Sequence, residues 1–219
     1  MAKLLEEIDF FDFAKKSVKF HSGKDADSKI VLDFFKDNTS GKFLCIGANN
    51  GLDVTNKLLK LGWHGVYCEP DPYACTELLE NTKEFVSQVT IFNVAITADS
   101  NIQKFYVSIG NSFISSIKPG WAENQTIFKN TPIRSIIINT VGFKNLLDFL
   151  DTKFDYIQID VEGLDAEIIS SIDWSLVVGC KMICTESGPT VFKQLYKQNK
   201  FMITDVTDTN SFYIKKKIT

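Results

Sequence analysis

The chain predicts an α/β fold, a doubly wound Rossmann-like sheet that is mostly parallel and ends in a C-terminal antiparallel hairpin. Three observations carry this expectation. Short apolar runs alternate with helical periodicity from about residue 42 onward. The first run, Phe43-Leu44-Cys45-Ile46, breaks into Gly47-Ala48-Asn49-Asn50-Gly51, and glycines suit a tight turn that brings backbone close to a ligand. The second run, Gly65-Val66-Tyr67-Cys68, ends in the acid Glu69. Strand, glycine turn, helix and a second strand closing on a carboxylate describe a nucleoside-binding βαβ unit.

The elements follow in order. Leu4, Leu5, Ile8 and Phe11 fall at helical spacing, and a second helix runs through Ile30 to Phe35. Strands are expected at about 42–46, 65–69 and 88–94, with helices at about 53–61 and 72–82 between them. Residues 102–107 and 112–117 alternate weakly, as a hairpin would. Lys118 to Pro132 has no period and carries Pro119, Gly120 and Pro132, so it reads as a loop or lid. A strand at 134–139 precedes a helix over Lys144 to Leu150. Tyr156 to Asp160 is the next strand, with a helix from Leu164. Lys181 to Glu186 is another strand, Phe192 to Asn199 is helical, and Phe201–Thr204 and Phe212–Ile214 form the closing pair. Residues 1–41 are expected to be a helical extension packed on a core domain of 42–219, with 109–133 as a substrate lid.

Composition narrows the function classes. The 219 residues are 44% hydrophobic and 12% aromatic, enough for a substantial core without staples. The net charge of −3 gives no basic field for a nucleic-acid backbone, and Arg134 is the only arginine. Met1 to Glu7 turns acidic before any apolar stretch, the wrong order for a signal peptide. No uncharged run reaches the ~18–20 residues that span a bilayer, so a cytoplasmic protein without membrane contact is expected. The five cysteines read as small buried hydrophobes, because with only His21 and His64 a zinc ligand set is poor. His64 stands at the wrong end of its strand for a site.

The chemistry concentrates in two places. Gly-x-Asn-x-Gly lacks the third glycine that brings a helix N-terminus to a pyrophosphate, so a nucleoside without phosphates fits better, with S-adenosylmethionine the obvious candidate. Glu69 can accept both ribose hydroxyls. The second place is Asp160-Val161-Glu162-Gly163, where a strand ends and a ligand is expected outside the carboxyl edge of the sheet. Glu69, Asp160, Glu162 and Glu186 can converge on one rim, where clustered carboxylates would accept a proton, hold a cation or bind hydroxyls. Glu162 and Asp165 can equally cap the helix from Leu164, and Glu186 can be a solvated strand end. Trp121 and Phe128 read as packing of the irregular segment rather than pocket lining.

These residues resemble the FkbM family of S-adenosylmethionine-dependent methyltransferases. The matching elements are Ile46 to Gly51, Tyr67-Cys68-Glu69-Pro70-Asp71-Pro72, the serine-rich run Ser112 to Ser116, Ile159 to Gly163, and Thr185-Glu186-Ser187. The resemblance implies that Gly47, Ala48, Asn49 and Gly51 wrap the methionine half of the cofactor. It implies that Glu69 and Pro70 hold the ribose, and that Asn93 and Ala95 flank the adenine. Three departures stand out. Cys45 replaces the usual aspartate, Gln158 a frequent lysine, and Asp165 a frequent glutamate. The expectation is a methyltransferase acting on a hydroxyl of a sugar, glycan or other small metabolite. Asp160 and Glu162 would be its catalytic pair and no dedicated metal site is implied. A nicotinamide-dependent oxidoreductase and a non-catalytic nucleoside-binding relative are the alternatives.

Overall fold

The computed structural model describes residues 18–23, 25–109, 112–121, 132–186, 191, 194–195, 199 and 201–215. The expected helices around Leu4 to Phe11 and, for the most part, Phe192 to Asn199 lie outside them, as do Phe128 and Ser187. The strands are β1 (Lys19–Phe20), β2 (Lys42–Ile46), β3 (His64–Cys68), β4 (Val89–Phe92), β5 (Ala95–Thr97), β6 (Asn101–Ser108), β7 (Ile133–Gly142), β8 (Tyr156–Ile159), β9 (Met182–Glu186), β10 (Phe201–Val206) and β11 (Asn210–Lys215). The α-helices are α1 (Ala26–Phe34), α2 (Val54–Lys60), α3 (Pro72–Asn81), α4 (Phe143–Leu150) and α5 (Asp165–Ser171).

Local signals explain the starts of two helices that border the site. Asp53 caps α2 by accepting from the Thr55 N–H at 2.8 Å. Asp71 caps α3 through the Tyr73 N–H at 2.9 Å, and Pro72 follows at the first helical position, where its missing donor costs nothing. Eight strands join into one sheet in the order β1-β10-β11-β9-β8-β2-β3-β4. All neighbours are parallel except where β11 runs antiparallel to both β10 and β9. The order reverses between β2 and β8, and that switch point is where an open α/β sheet holds its ligand.

Strand alternation divides the core between the two faces of this sheet. Leu44, Ile46, Ile157, Ile159 and Ile183 pack with Leu146 and Leu147 of α4 and Ile168 and Ile169 of α5. Phe43, Cys45, Tyr67, Tyr156 and Cys184 pack on the other side with Ile30 and Val31 of α1 and Leu58 and Leu59 of α2. All five cysteines are buried and unpaired. His64 is exposed at the start of β3, at the opposite edge from the glycine turn.

Two expectations change. The hairpin of 102–107 with 112–117 does not form: β6 pairs antiparallel with β7 over eight positions, from Asn101–Thr140 to Ser108–Ile133. Residues 112–114 make a single 3₁₀ turn, and the chain after it meets β6 at the isolated Tyr106–Ser116 bridge and through the Ser108 amide, which donates to Ser115 Oγ at 3.0 Å. The serine hydroxyls bond to neighbouring loops instead, a local competition that removes this stretch from a strand ladder. The segment expected as one strand at 88–94 ends at Phe92, and β5 then begins a separate three-stranded sheet ordered β5-β7-β6. In addition, residues 19–20 form a short strand parallel to β10, within the segment expected to be helical.

Gly65 pairs with Phe43 across β3 and β2, and a Cβ there would overlap the Phe43 ring. That ring is fully buried and meets Tyr67 edge-on with centroids 5.2 Å apart, so moving it means repacking its neighbours. Gly65→Ala should therefore destabilise the protein by roughly 1–3 kcal/mol, read as a lower denaturation midpoint and partly restored by adding Phe43→Leu. An unchanged midpoint would show that the ring yields.

Candidate active site

The site begins where β2 and β8 end side by side. Gly47 has φ 78°, and a Cβ at this position would overlap the carbonyl of Asp160. Glycine alone lets the two strand ends approach this closely. The Gly47 and Ala48 amides donate to the Cys68 carbonyl at 2.9 and 3.2 Å, and the Asp160 amide donates to Ile46 at 2.9 Å. The ends of β2, β3 and β8 are thereby locked together. Asn49 takes φ 48°, which asparagine tolerates better than most residues. Gly51, at φ 70°, faces Leu78 of α3 rather than the cleft.

Above these strand ends lies a partly enclosed pocket. Gly47, Asn49, Glu69, Pro70, Ala95, Asp160 and Glu162 all line it. Ala48, Gly51 and Asn93 stand behind the wall; Asn93 donates to the carbonyls of Glu69 and Pro70 at 2.8 and 3.3 Å and so shapes the rim from outside. Ile46, Cys68, Ile96, Phe105 and Leu164 supply apolar surface. Three carboxylates but no lysine, arginine or histidine are among the described lining residues.

Glu69 is buried, and its two oxygens accept from the backbone amides of Asn49 and Asp71, both at 2.7 Å. Burial pushes its carboxyl up to about 7, against the pull of those two hydrogen bonds. Asp160 is held well above the usual carboxylate range, by burial first and then by the charges of Glu162, Asp165, Glu186 and Asp53. Among the described residues no donor meets its side chain. Glu162 sits at φ 54°, a strained conformation for a residue with a side chain. It is fixed from both ends: its carbonyl accepts from Ser116 Oγ, and its carboxylate accepts from Trp121 Nε1, each at 2.8 Å. Its carboxyl is raised by burial and lowered by the Trp121 bond. Glu162 therefore does not cap α5. Asp165 turns inward instead, accepting from Thr185 Oγ1 at 3.0 Å and from the Val161 amide at 3.4 Å. Glu186 closes β9 outside the cavity lining; burial and the nearby Asp165 and Glu162 charges raise its carboxyl to about 7. Among the described residues, no group of three or more histidine, cysteine or acidic side chains is arranged to hold a metal ion.

The segment 112–121, expected as part of a substrate lid, also ties this cleft together through hydrogen bonds that the sequence did not reveal. Ser112 Oγ bonds the Asn49 side chain at 3.1 Å, Ser115 Oγ donates to Asp71 at 2.9 Å, and Ser116 reaches Glu162. One strap thus joins the glycine loop, the neighbourhood of Glu69 and the Asp160–Glu162 turn. Trp121, expected as loop packing, also positions an acid. The repeated serines were the only available signal, since their partners are 44 to 63 positions away in sequence.

Comparison with known proteins identifies the family. Residues 46–209 match the model of the methyltransferase FkbM domain. The chain belongs to the FkbM methyltransferase family. No curated protein matches its sequence. Among solved structures, a putative O-methyltransferase from Klebsiella pneumoniae has a TM-score of 0.52 at 10% identity, covering 90% of this chain and 83% of its own. A conserved hypothetical protein from Streptococcus pyogenes gives 0.51 at 13%, covering 86% and 95%. A Podospora anserina methyltransferase, solved with SAH bound, gives 0.50 at 13%, covering 89% and 80%. At such identities the shared property is the class I methyltransferase fold. The FkbM chain's main sheet, with its antiparallel β11, has that architecture.

Two measurements test the electrostatics of this FkbM site. Trp121→Phe keeps a ring but removes the donor that lowers the Glu162 carboxyl, so carboxyl NMR should show Glu162 titrating at higher pH than in the parent. An unmoved titration would mean the indole bond has no influence. Glu186 binds its proton more tightly folded than unfolded, since its pKa is raised from 4.5 to about 7. Its stabilising contribution is complete below about 4.5 and is lost as pH rises through about 7. Glu186→Gln should flatten the pH dependence of stability across that window, gaining on the parent above its upper end. Parallel curves for the two proteins would contradict this.

Proposed function

We propose that the protein is an S-adenosylmethionine-dependent O-methyltransferase acting on a hydroxyl of a sugar or other small metabolite. The observation that carries this reading is the cavity charge. Three carboxylates and no described cation line a space at the switch point of the sheet. A pyrophosphate would be repelled there, whereas a nucleoside bearing a positive charge is favoured. The SAH bound to the Podospora neighbour supports the same cofactor class.

The residues present fit that cofactor. Each Glu69 oxygen takes one backbone amide and keeps further acceptor capacity for the ribose hydroxyls. Pro70, Ala95 and Ile96 offer apolar surface to the base, and Gly47 and Asn49 border the methionine end. Ala48, Gly51 and Asn93 support these from behind. When bound, S-adenosylmethionine supplies a methyl group activated on a sulfonium. The protein's own task is to align the acceptor oxygen, exclude water and take up its proton. Asp160 and Glu162 do this, and their raised proton affinity brings a carboxylate base nearer to neutrality than usual. Of the expected substrate lid at 109–133, the strap 112–121 borders the cleft in this scheme, while 110–111 and 122–131 lie outside the described residues.

Calorimetry and a labelled-methyl screen over hydroxylated metabolites and glycans provide the test. S-adenosylhomocysteine should bind and NADH should not, with Glu69→Ala weakening the former at least ~tenfold through its lost charge-assisted bonds. Asp160→Asn and Glu162→Gln should bind S-adenosylhomocysteine as the parent does while losing ~10²–10⁴-fold in turnover. Parental turnover should decline toward acid pH, above the ordinary carboxylate range, as these two groups become protonated. Tight NADH binding without S-adenosylhomocysteine binding would sink the assignment; full turnover in both isosteric variants would sink the proposed base.

A further inference from the structure

Next to the acid-lined cavity lies an open cleft with the opposite electrostatic character at its rim. Ile117 and Leu164 line both spaces, so one opens beside the other. Lys104 projects from β6 on one wall and Lys118 from the strap on another, with Gln103 and Tyr106 between them. Among the described residues neither lysine takes part in an ion pair, although Glu167 also borders the cleft. The Lys118 ammonium lies 5.0 Å from the centre of the Trp121 ring, the same ring whose N–H holds Glu162. Lys118 is thereby placed one side chain away from the proposed base.

We propose that this cleft is the acceptor subsite and that the acceptor is an anionic polyol, a hydroxylated molecule carrying a carboxylate or phosphate. This deepens, and rests on, the transferase reading above. A negative group on the acceptor is repelled by Glu69, Asp160 and Glu162 within the cavity and attracted by Lys104 and Lys118 outside it. The gradient orients the molecule, anion outward and hydroxyl toward Glu162. Lysine ammonium groups are point charges without a planar fork, so the subsite accepts a carboxylate or a phosphate alike.

The test is saturation-transfer and titration NMR on the full chain saturated with S-adenosylhomocysteine, using glucuronate, glucose 6-phosphate and methyl glucoside as probes. At least one anionic probe should bind more tightly than the neutral one, and its affinity should fall as salt is raised. The two anionic probes show whether carboxylate or phosphate is preferred. Lys104→Glu and Lys118→Glu should each weaken the anionic probe about fivefold and leave methyl glucoside and S-adenosylhomocysteine unaffected, while Lys104→Arg and Lys118→Arg retain binding. Absence of binding by both anionic probes, equal binding of the neutral probe, or unchanged affinity in both charge-reversed variants would overturn the proposal. Failure of S-adenosylhomocysteine to bind, with anionic probes still held through the lysines, would overturn the cofactor reading and leave the subsite standing.

Discussion

The close approach of Gly47 to the Asp160 carbonyl is the contact on which the rest of the site depends. It exists because β2 and β8 are neighbours in the sheet although more than a hundred positions apart in the chain. At a switch point the connections on either side lead away from each other, and a crevice opens over the paired strand ends. The glycine loop leaves one strand of that pair and the Asp160–Glu162 turn leaves the other. With a side chain at 47, the ends would separate and the two halves of the cleft would lose their common register.

Desolvation then determines the chemistry. Burying a carboxylate is costly unless it is paired, and here the pairing is with backbone amides, an indole and a threonine hydroxyl rather than with cations. Each such bond recovers part of the cost and none neutralises the charge. Proton affinity therefore remains raised at Glu69, Asp160, Glu162 and Glu186. A positively charged ligand in the cavity would relieve Glu69, Asp160 and Glu162 together, which links occupancy of the cavity to the protonation of the proposed base. The strap reinforces this link, because Ser112 touches the glycine loop while Ser116 and Trp121 hold Glu162.

Most of the main sheet was legible because its signals are local. β2, β3, β8 and β9 are buried runs of four or five residues, and the Asp53, Asp71 and Pro72 cap signals fix where α2 and α3 begin. The small sheet was not legible. β6 takes its partner from beyond Pro132, and nothing in its own alternation distinguishes that partner from the nearer serine-rich stretch, whose weak period imitates a strand. The same limit applied in the cleft. Glu69, Asp160 and Glu162 announce themselves at strand ends, whereas Trp121 becomes meaningful only once the fold brings it to Glu162, 41 positions away.

Cys45 and Gln158 show how two neutral side chains can serve one buried acid. They are register partners on β2 and β8, and both face the same carboxylate, that of Asp53 at the start of α2. Gln158 Nε2 donates to Asp53 at 2.7 Å, and the Cys45 thiol lies 4.0 Å from the same oxygen. An aspartate at 45 would place a second buried negative charge against Asp53, whose own carboxyl is already raised by burial. A neutral thiol avoids that repulsion, and a neutral amide at 158 still supplies the donor that Asp53 needs. The three residues form one electrostatic unit beneath the glycine loop.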